Sequence, residues 1–156
     1  MFKRIHLCTG LLQRDDRILL VGNAYPNHAE LIWGLPGGRQ DGRETCAMTV
    51  ARELREETAL DVRVGGLAYV AESFDTTTDT QFTAFCFAID ADGEPNVPAG
   101  DAHVRACRWV PRAELASALA VRVVREPLLS YLADPAQRYF GYLDAGITIA
   151  FGDEPA

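Results

Sequence analysis

The stretch LPGGRQDGRE at residues 35–44, followed by RELREE at residues 52–57, decides the fold of this chain. Its second half predicts a helix on which Glu53, Glu56 and Glu57 share one face, because residues three and four positions apart are neighbours on a helix. Taken alone, such a run is typical of a solvated helix face. The like charges repel by roughly a few tenths of a kcal/mol per pair, and Arg52, four residues before Glu56, offsets part of that repulsion.

The same segment carries the pattern of a packed helix. Its apolar stripe follows the i, i+3, i+4, i+7 spacing of a buried face, about a third of a turn from the acids. The stripe consists of Ala47, Val50, Ala51 and Leu54. We expect Asp41 to cap the helix and Glu44 to complete a capping box, with residues 37–38 forming the turn in front of it. The helix can therefore sit on a core and still present its acids at the edge.

Clustered carboxylates of this kind suit a divalent cation. Hard cations prefer oxygen ligands, and Mg²⁺ takes one or two carboxylates together with waters and substrate phosphates. A bound cation would turn the mutual repulsion of the three acids into ligation. The sequence therefore indicates a metal site as the alternative to a solvated face.

The spacing resembles the Nudix box, G-x5-E-x7-R-E-U-x-E-E-x-G-U, in which U is aliphatic. Gly38 and Glu44 stand at its first two defined positions, residues 52–57 supply its centre, and Leu60 ends it. The one departure is Ala59, where the family usually has glycine, and we expect it to affect the backbone after the helix rather than the metal ligands. The resemblance to Nudix hydrolases implies an α/β fold, an α/β/α sandwich with a mixed β-sheet.

The resemblance also implies the chemistry. Proteins of this kind hydrolyse a nucleoside diphosphate linked to another group, X, by water attack at a phosphorus, with Mg²⁺ or Mn²⁺ required. A metal neutralises the charge of the pyrophosphate and lowers the pKa of a bound water, and positioning and electrostatics supply most of the catalysis in phosphoryl transfer.

The match assigns roles to individual residues. It implies that the metal ligands are the Gly37 carbonyl, Glu53, Glu56 and Glu57. It places Arg52 and Glu44 behind them, with Arg52 holding a ligand carboxylate in its rotamer. The general base stays open. In some relatives it is a box glutamate, here Glu53, and in others an acid from a later loop, for which the candidates are Glu94, Asp101 and His103.

The identity of X is only narrowed. The S-Q-P-W-P-F-P run of relatives specific for NADH is absent after the box. Residues 75–78 read Asp-Thr-Thr-Thr, where relatives that prefer ADP-ribose tend to have a proline and those that cleave dinucleoside polyphosphates a tyrosine. A nucleoside triphosphate or a nucleotide sugar remains. We assign base recognition to Tyr25, Trp33 or Phe74, although an aromatic residue before a turn, such as Trp33, more often serves packing.

Two other functions on the same fold are open. A nucleotide-binding sensor without hydrolysis is disfavoured because every carboxylate of the box is intact. An isomerase of the isopentenyl diphosphate type needs a catalytic cysteine and clustered histidines, and this chain has only His6, His28 and His103, which are scattered.

Composition sets the remaining limits. With 156 residues, 48% hydrophobic and 24% charged, the chain is expected to be a single domain over residues 1–156. The net charge is −7, Lys3 is the only lysine and no run of lysines and arginines appears, so we expect a small-molecule nucleotide as the partner and no nucleic acid. No apolar span suggests a membrane partner or a signal peptide, and we expect a cytoplasmic protein.

The four cysteines lack C-x-x-C spacing, which favours buried thiols over a disulfide framework or a zinc site.

The remaining pattern predicts strands and helices in alternation. Strands are expected at residues 5–12, 18–21, 62–72, 81–89, 106–110 and 146–151, the first two as a hairpin and the third with a bulge. Residues 81–89 are apolar on both faces, so we place them in the middle of the sheet. Helices are expected at residues 111–120 and 121–132, with a kink or break at Pro127. The strand at 146–151 is either a sheet edge or a homodimer contact.

Overall fold

Strands dominate the computed structural model, which describes residues 2–100, 103–147 and 149. The strands are β1 (Lys3–Arg14), β2 (Arg17–Asn23), β3 (Ile32–Gly34), β4 (Gly37–Arg39), β5 (Arg63–Asp75), β6 (Thr80–Asp90), β7 (Val104–Pro111) and β8 (Tyr139–Gly141). The helices are α1 (Cys46–Thr58), a 3-10 turn (Arg112–Glu114) that leads into α2 (Leu115–Ala118), and α3 (Arg122–Ala133). Within the described residues, no helix is long and apolar enough to cross a membrane.

The sheet is mixed, as predicted. Its strand order is β3-β2-β1-β6-β5-β8, with β4 added to β1 and β7 added to β2. β1 runs parallel to β6, and β5 runs antiparallel to β6. The strand predicted at residues 81–89 therefore lies between two neighbours in the centre of the sheet, and the predicted hairpin of β1 and β2 is confirmed.

A hydrophobic core lies on each face of the sheet, which gives the predicted sandwich. On one face α1 buries Val50 and Leu54 completely, against a cluster that includes Cys8, Leu12 and Leu19. On the other face α2 and α3 cover a second cluster, which includes Leu11, Leu20, Leu115, Leu119 and Leu128. Burying these side chains contributes about 1.5–3 kcal/mol each before the entropy cost of ordering them.

Several local predictions need correction. The cap of α1 is Thr45 and not Asp41, whose carbonyl instead accepts the N–H of Glu44 at 2.9 Å in the loop before the helix. Residues 37–38 belong to strand β4 rather than to a turn. The predicted break at Pro127 is wrong, because α3 runs through this residue, which is buried with Leu128, while the alternative of a kink stays a prediction.

Other local predictions are confirmed or stay open. The irregular pairing of β5 with β6 between Val64 and Tyr69 confirms the predicted bulge. At the chain end, Gly146 and Ile147 form a bend and not a strand. Most of the rest of the predicted strand at 146–151 lies outside the described residues, and the homodimer contact there stays a prediction.

Candidate active site

Helix α1 is held at both ends by its own sequence. The hydroxyl of Thr45 accepts the N–H of Met48 at 3.2 Å and so satisfies one of the donors at the start of the helix. At the other end Ala59 adopts the left-handed conformation, φ 60° and ψ 15°, and its N–H donates to the Arg55 carbonyl at 3.0 Å. Alanine thus takes the backbone conformation that glycine adopts without strain.

Arg52 lies at the centre of the acidic cluster. Its Nε and Nη2 donate to the two oxygens of Glu44 at 2.8 and 2.9 Å, a bidentate pair. Its Nη1 donates to Glu53 Oε1 at 3.1 Å and to Glu56 Oε2 at 3.3 Å. The hydrogen bonds from Arg52 lower the pKa of Glu44, and the same bonds raise the pKa of Arg52. One guanidinium therefore holds three carboxylates of the box together.

Glu57 is held differently, by the backbone of β4. Its side chain is buried, with the residue 5% exposed, and its Oε1 accepts the N–H of Gly37 at 2.7 Å. Gly37 has φ 149°, and a Cβ there would collide with the carbonyl oxygen of Cys8 on the neighbouring strand. Only glycine allows β4 to approach β1 this closely and to aim its N–H at Glu57.

Gly38 makes room for Glu53. A Cβ at Gly38 would stand 2.5 Å from Oε1 and 2.7 Å from Cδ of Glu53. The carboxylate therefore lies directly against the backbone of β4, where any larger residue would displace it. Gly37 contacts Glu57 and Gly38 contacts Glu53, so the two adjacent glycines serve two different glutamates.

Tyr25 reaches the same region from the loop between β2 and β3. Burial raises the pKa of its phenol to about 12, with the negative charge of Glu57 as a further cause. The preceding residue, Ala24, donates its N–H to the carbonyl of His103 at 2.8 Å. The loop that carries Tyr25 is thus tied to the segment before β7.

The other predicted site residues have contacts of their own. Trp33 packs beside the α2–α3 core, and the guanidinium of Arg108 covers its ring at 4.3 Å from the centroid. Phe74 lies at the far end of β5, where its ring is 6.1 Å from that of Phe2. Glu94 accepts from Arg14 Nη1 at 3.1 Å and from the Trp109 indole at 3.4 Å. Asp101 lies outside the described residues.

The donor set of the cluster fits a divalent cation in kind. Glu53, Glu56 and Glu57 offer carboxylate oxygens beside the backbone of Gly37, and Mg²⁺ prefers such ligands. In the described part of the chain, no three acidic, histidine or cysteine side chains already stand in a metal-binding arrangement. Arg52 donates hydrogen bonds to the carboxylates of Glu53 and Glu56. A bound cation would replace at least one of these hydrogen bonds. Glu56, with 53% of its side chain exposed, is the carboxylate best able to turn.

Comparison with known proteins identifies the class. The chain belongs to the NUDIX domain family, whose sequence model matches residues 2–132. It is a Nudix hydrolase, and the reaction of this family is hydrolysis of a pyrophosphate bond. Members of the family generally use divalent metals.

Individual relatives agree with this class. Phosphatase NudJ of Escherichia coli strain K12 is 27% identical over 141 residues, which are 89% of each chain. A NUDIX hydrolase from Nitrosomonas europaea shares the fold with a TM-score of 0.74 at 19% identity, covering 88% of this chain and 93% of that one. A MutT NUDIX hydrolase from Burkholderia pseudomallei is 27% identical with a TM-score of 0.67, covering 79% and 94%.

Some contacts of the site were missed by sequence reasoning. The Thr49 hydroxyl lies 3.5 Å from Glu44 Oε1, and Gln40 Nε2 donates to the Glu44 carbonyl at 2.7 Å. Arg52 Nη2 also donates to the Arg39 carbonyl at 3.3 Å. These residues fill variable positions of the box pattern, so no spacing rule marks them. The pair Gly37-Gly38 is the signal that the sequence does carry, although it forms a strand and not the predicted turn.

Proposed function

We propose that this protein hydrolyses the pyrophosphate bond of a nucleoside diphosphate linked to another group, with Mg²⁺ or Mn²⁺ as cofactor. The observation that carries the proposal is the set of contacts around Arg52, which gathers Glu44, Glu53 and Glu56 on the face of α1 that meets β4. Glu57 joins them through the N–H of Gly37. The proposed metal ligands are the carboxylates of Glu53, Glu56 and Glu57 and the carbonyl of Gly37.

The charge of the cluster supports a metal-dependent reaction. Four carboxylates face a single guanidinium, so the site carries an excess of negative charge and would repel a pyrophosphate on its own. A bound divalent cation would neutralise phosphate charge and lower the pKa of a coordinated water. The acidity that disfavours direct phosphate binding therefore favours binding of the phosphate together with a cation.

The protein side chains divide the remaining work. The Gly37 N–H and the surrounding core fix the rotamer of Glu57, and Arg52 fixes those of Glu44 and Glu53. Such preorganisation is what phosphoryl transfer mainly requires from a protein. We assign the general base to Glu53, whose carboxylate would take a proton from the attacking water. Its contact with the backbone at Gly38 holds it in one place.

The substrate class we propose is a nucleoside triphosphate or a nucleotide sugar, with water attacking at phosphorus. The relative NudJ is named a phosphatase, which agrees with attack at phosphorus. Among the aromatic candidates, Tyr25 is the best supported because the charge of Glu57 acts on its phenol. Trp33 is better explained as packing under Arg108.

One assay tests this proposal. The purified protein is incubated with Mg²⁺ or Mn²⁺ and a panel of nucleoside triphosphates, nucleotide sugars and dinucleotides in water enriched in oxygen-18, and the products are identified by mass. We expect a nucleoside monophosphate or diphosphate product with the label on a phosphate. Chelation with EDTA should abolish turnover, and Mg²⁺ should restore it.

The same panel separates the alternatives. Turnover that survives EDTA would contradict the metal, and label on a sugar carbon would contradict attack at phosphorus. If calorimetry detects nucleotide binding while no compound is turned over, the site acts as a sensor in this chain.

A further inference from the structure

The loop between β4 and α1 carries the carboxylate that anchors Arg52. This loop spans residues 40–45 and contains no helix or strand. Glu44 lies near its end and accepts Nε and Nη2 of Arg52 at 2.8 and 2.9 Å. A segment without a backbone ladder is held by individual contacts, and it opens easily where these are few. The place of Glu44 therefore depends on what ties the loop to the rest of the protein.

Gln40 ties this loop to strand β1 through both its backbone and its side chain. Its N–H donates to the carbonyl of His6 at 3.1 Å, one residue beyond the pairing of Arg39 with β1. Its side-chain Nε2 donates to the carbonyl of Glu44 at 2.7 Å, and its Oε1 lies 3.4 Å from Nδ1 of His6. One amide therefore connects the sheet to the residue that anchors Arg52.

The direction of these hydrogen bonds is fixed by the carbonyl of Glu44. A backbone carbonyl can only accept, so the amide nitrogen of Gln40 faces it and the amide oxygen faces His6. Nδ1 of His6 therefore donates and carries a proton. The imidazole is also held by an edge contact with the ring of Phe85, at 5.6 Å between centroids and 84° between planes. The amide of Gln40 is thus held from both sides in one orientation.

We propose that Gln40 is a positioning residue for the metal site, on which it acts through Glu44 and Arg52, an inference that rests on the proposed function. Without the amide the loop loosens and Glu44 withdraws from Arg52. The guanidinium then turns fully to Glu53 and Glu56, which it already contacts at 3.1 and 3.3 Å. These two carboxylates become less available to a cation. Gln40 therefore limits how strongly Arg52 competes with the metal.

The other contacts of Glu44 do not replace the one from Gln40. The hydroxyl of Thr49 lies 3.5 Å from Glu44 Oε1, and the N–H of Asp41 donates to the same oxygen at 3.3 Å. Both are longer than the 2.7 Å bond from Gln40 and correspondingly weaker. Asp41 also belongs to the loop and moves with it. The link from Glu44 to β1 runs through the amide of Gln40.

The test removes this amide and observes Arg52 directly. Gln40→Met keeps the length of the side chain and loses both hydrogen bonds of the amide. Gln13→Met is the matched control, because the amide of Gln13 also donates to a backbone carbonyl, that of Asp15 at 3.1 Å in the β1–β2 hairpin. Hydrogen exchange of the Arg52 Nε–H is measured by NMR on the whole protein, with the signal assigned by its loss in Arg52→Lys. We expect exchange about fivefold faster in Gln40→Met and unchanged in Gln13→Met.

The second readout is metal affinity without substrate. We expect calorimetric titration to show a dissociation constant for Mn²⁺ about fivefold higher in Gln40→Met than in the unaltered protein or in Gln13→Met. With the substrate found in the panel, the half-saturating Mg²⁺ concentration should rise in proportion, while kcat at saturating Mg²⁺ stays close to that of the unaltered protein. A merely structural role of Gln40 would instead lower the urea midpoint and leave the metal affinity of the folded protein unchanged.

Each outcome decides the proposal. Unaltered exchange of the Arg52 Nε–H in Gln40→Met overturns it, whether or not the urea midpoint falls. Faster exchange with unaltered affinity for Mn²⁺ overturns the link to the metal site. If the unaltered protein binds no Mn²⁺, the proposed function fails, and the exchange rate alone then decides whether Gln40 holds the pair of Glu44 and Arg52 in place.

Discussion

Helices α1 and α3 lie on opposite faces of the sheet and carry the same ion pair in different surroundings. Arg52 and Glu56 in α1 are four residues apart and meet at 3.3 Å, and Arg122 and Glu126 in α3 have the same spacing and meet at 3.0 Å. In α3 the pair is exposed. In α1 the arginine also binds Glu44 and Glu53. Equal local spacing therefore yields a surface pair in one helix and the hub of a site in the other.

The difference arises from the chain that lies beside each helix. Strand β4 and the loop after it run along α1 and supply Glu44, the Arg39 carbonyl and the Gly37 N–H. An isolated i,i+4 pair such as that in α3 contributes only about 0.3–0.5 kcal/mol. Arg52 binds Glu44 through two hydrogen bonds and also orients Glu53 and Glu56. The spacing of residues within the helix does not by itself produce this arrangement.

The largest difference between α1 and α3 is expected when one acid in each helix is neutralised. We expect Glu56→Gln or Glu57→Gln to lower kcat by about a hundredfold or more, because each removes the charge of a proposed metal ligand. Glu126→Gln is the matched control in the pair of α3 and should leave kcat within about twofold. Steady-state kinetics with the substrate found in the panel measures both.

Folding must be checked in the same variants. Glutamine keeps an oxygen that can accept the N–H of Gly37, so the urea midpoint of Glu57→Gln should stay close to that of the unaltered protein. A variant that folds normally and keeps full turnover would remove that glutamate from the proposed metal site.

A smaller effect is expected from crowding the site without changing its charge. In Gly38→Ala the new methyl would push the end of Glu53, a flexible side chain, out of its place. We expect kcat to fall by about tenfold with little change in the urea midpoint. Gly34→Ala is the control, since a Cβ there meets nothing within 4 Å. Equal kinetics in both variants would show that the position of Glu53 does not matter for turnover.

The smallest effect concerns the ends of the two helices. Ala59 after α1 is left-handed, whereas Asp134 after α3 is extended at φ −144°. Ala59→Gly should raise the free energy of unfolding by about 0.5–1 kcal/mol, because relief of left-handed strain exceeds the added chain entropy of glycine. Asp134→Gly should not stabilise, and urea denaturation of both variants checks this. A loss of stability in Ala59→Gly would show that no strain is stored there.

Prediction from the sequence succeeded for features that depend on a single helix or strand. The helical face of Glu53, Glu56 and Glu57, the burial of Val50 and Leu54, and the central position of residues 81–89 all follow from periodicity within one segment. It failed for the cap at Asp41, because Thr45, adjacent to the helix, competes for the same role. It also failed for residues 37–38, whose strand exists only through pairing with β1.

The sequence by itself determined the family, the sandwich of helices on a mixed sheet, and the set of acids on α1, because these depend on spacing along the chain. Only the tertiary structure decided that Arg52 gathers three carboxylates and that Gly37 and Gly38 each serve a different glutamate. Contacts between different elements depend on how strands and helices pack, and local patterns carry no record of that packing.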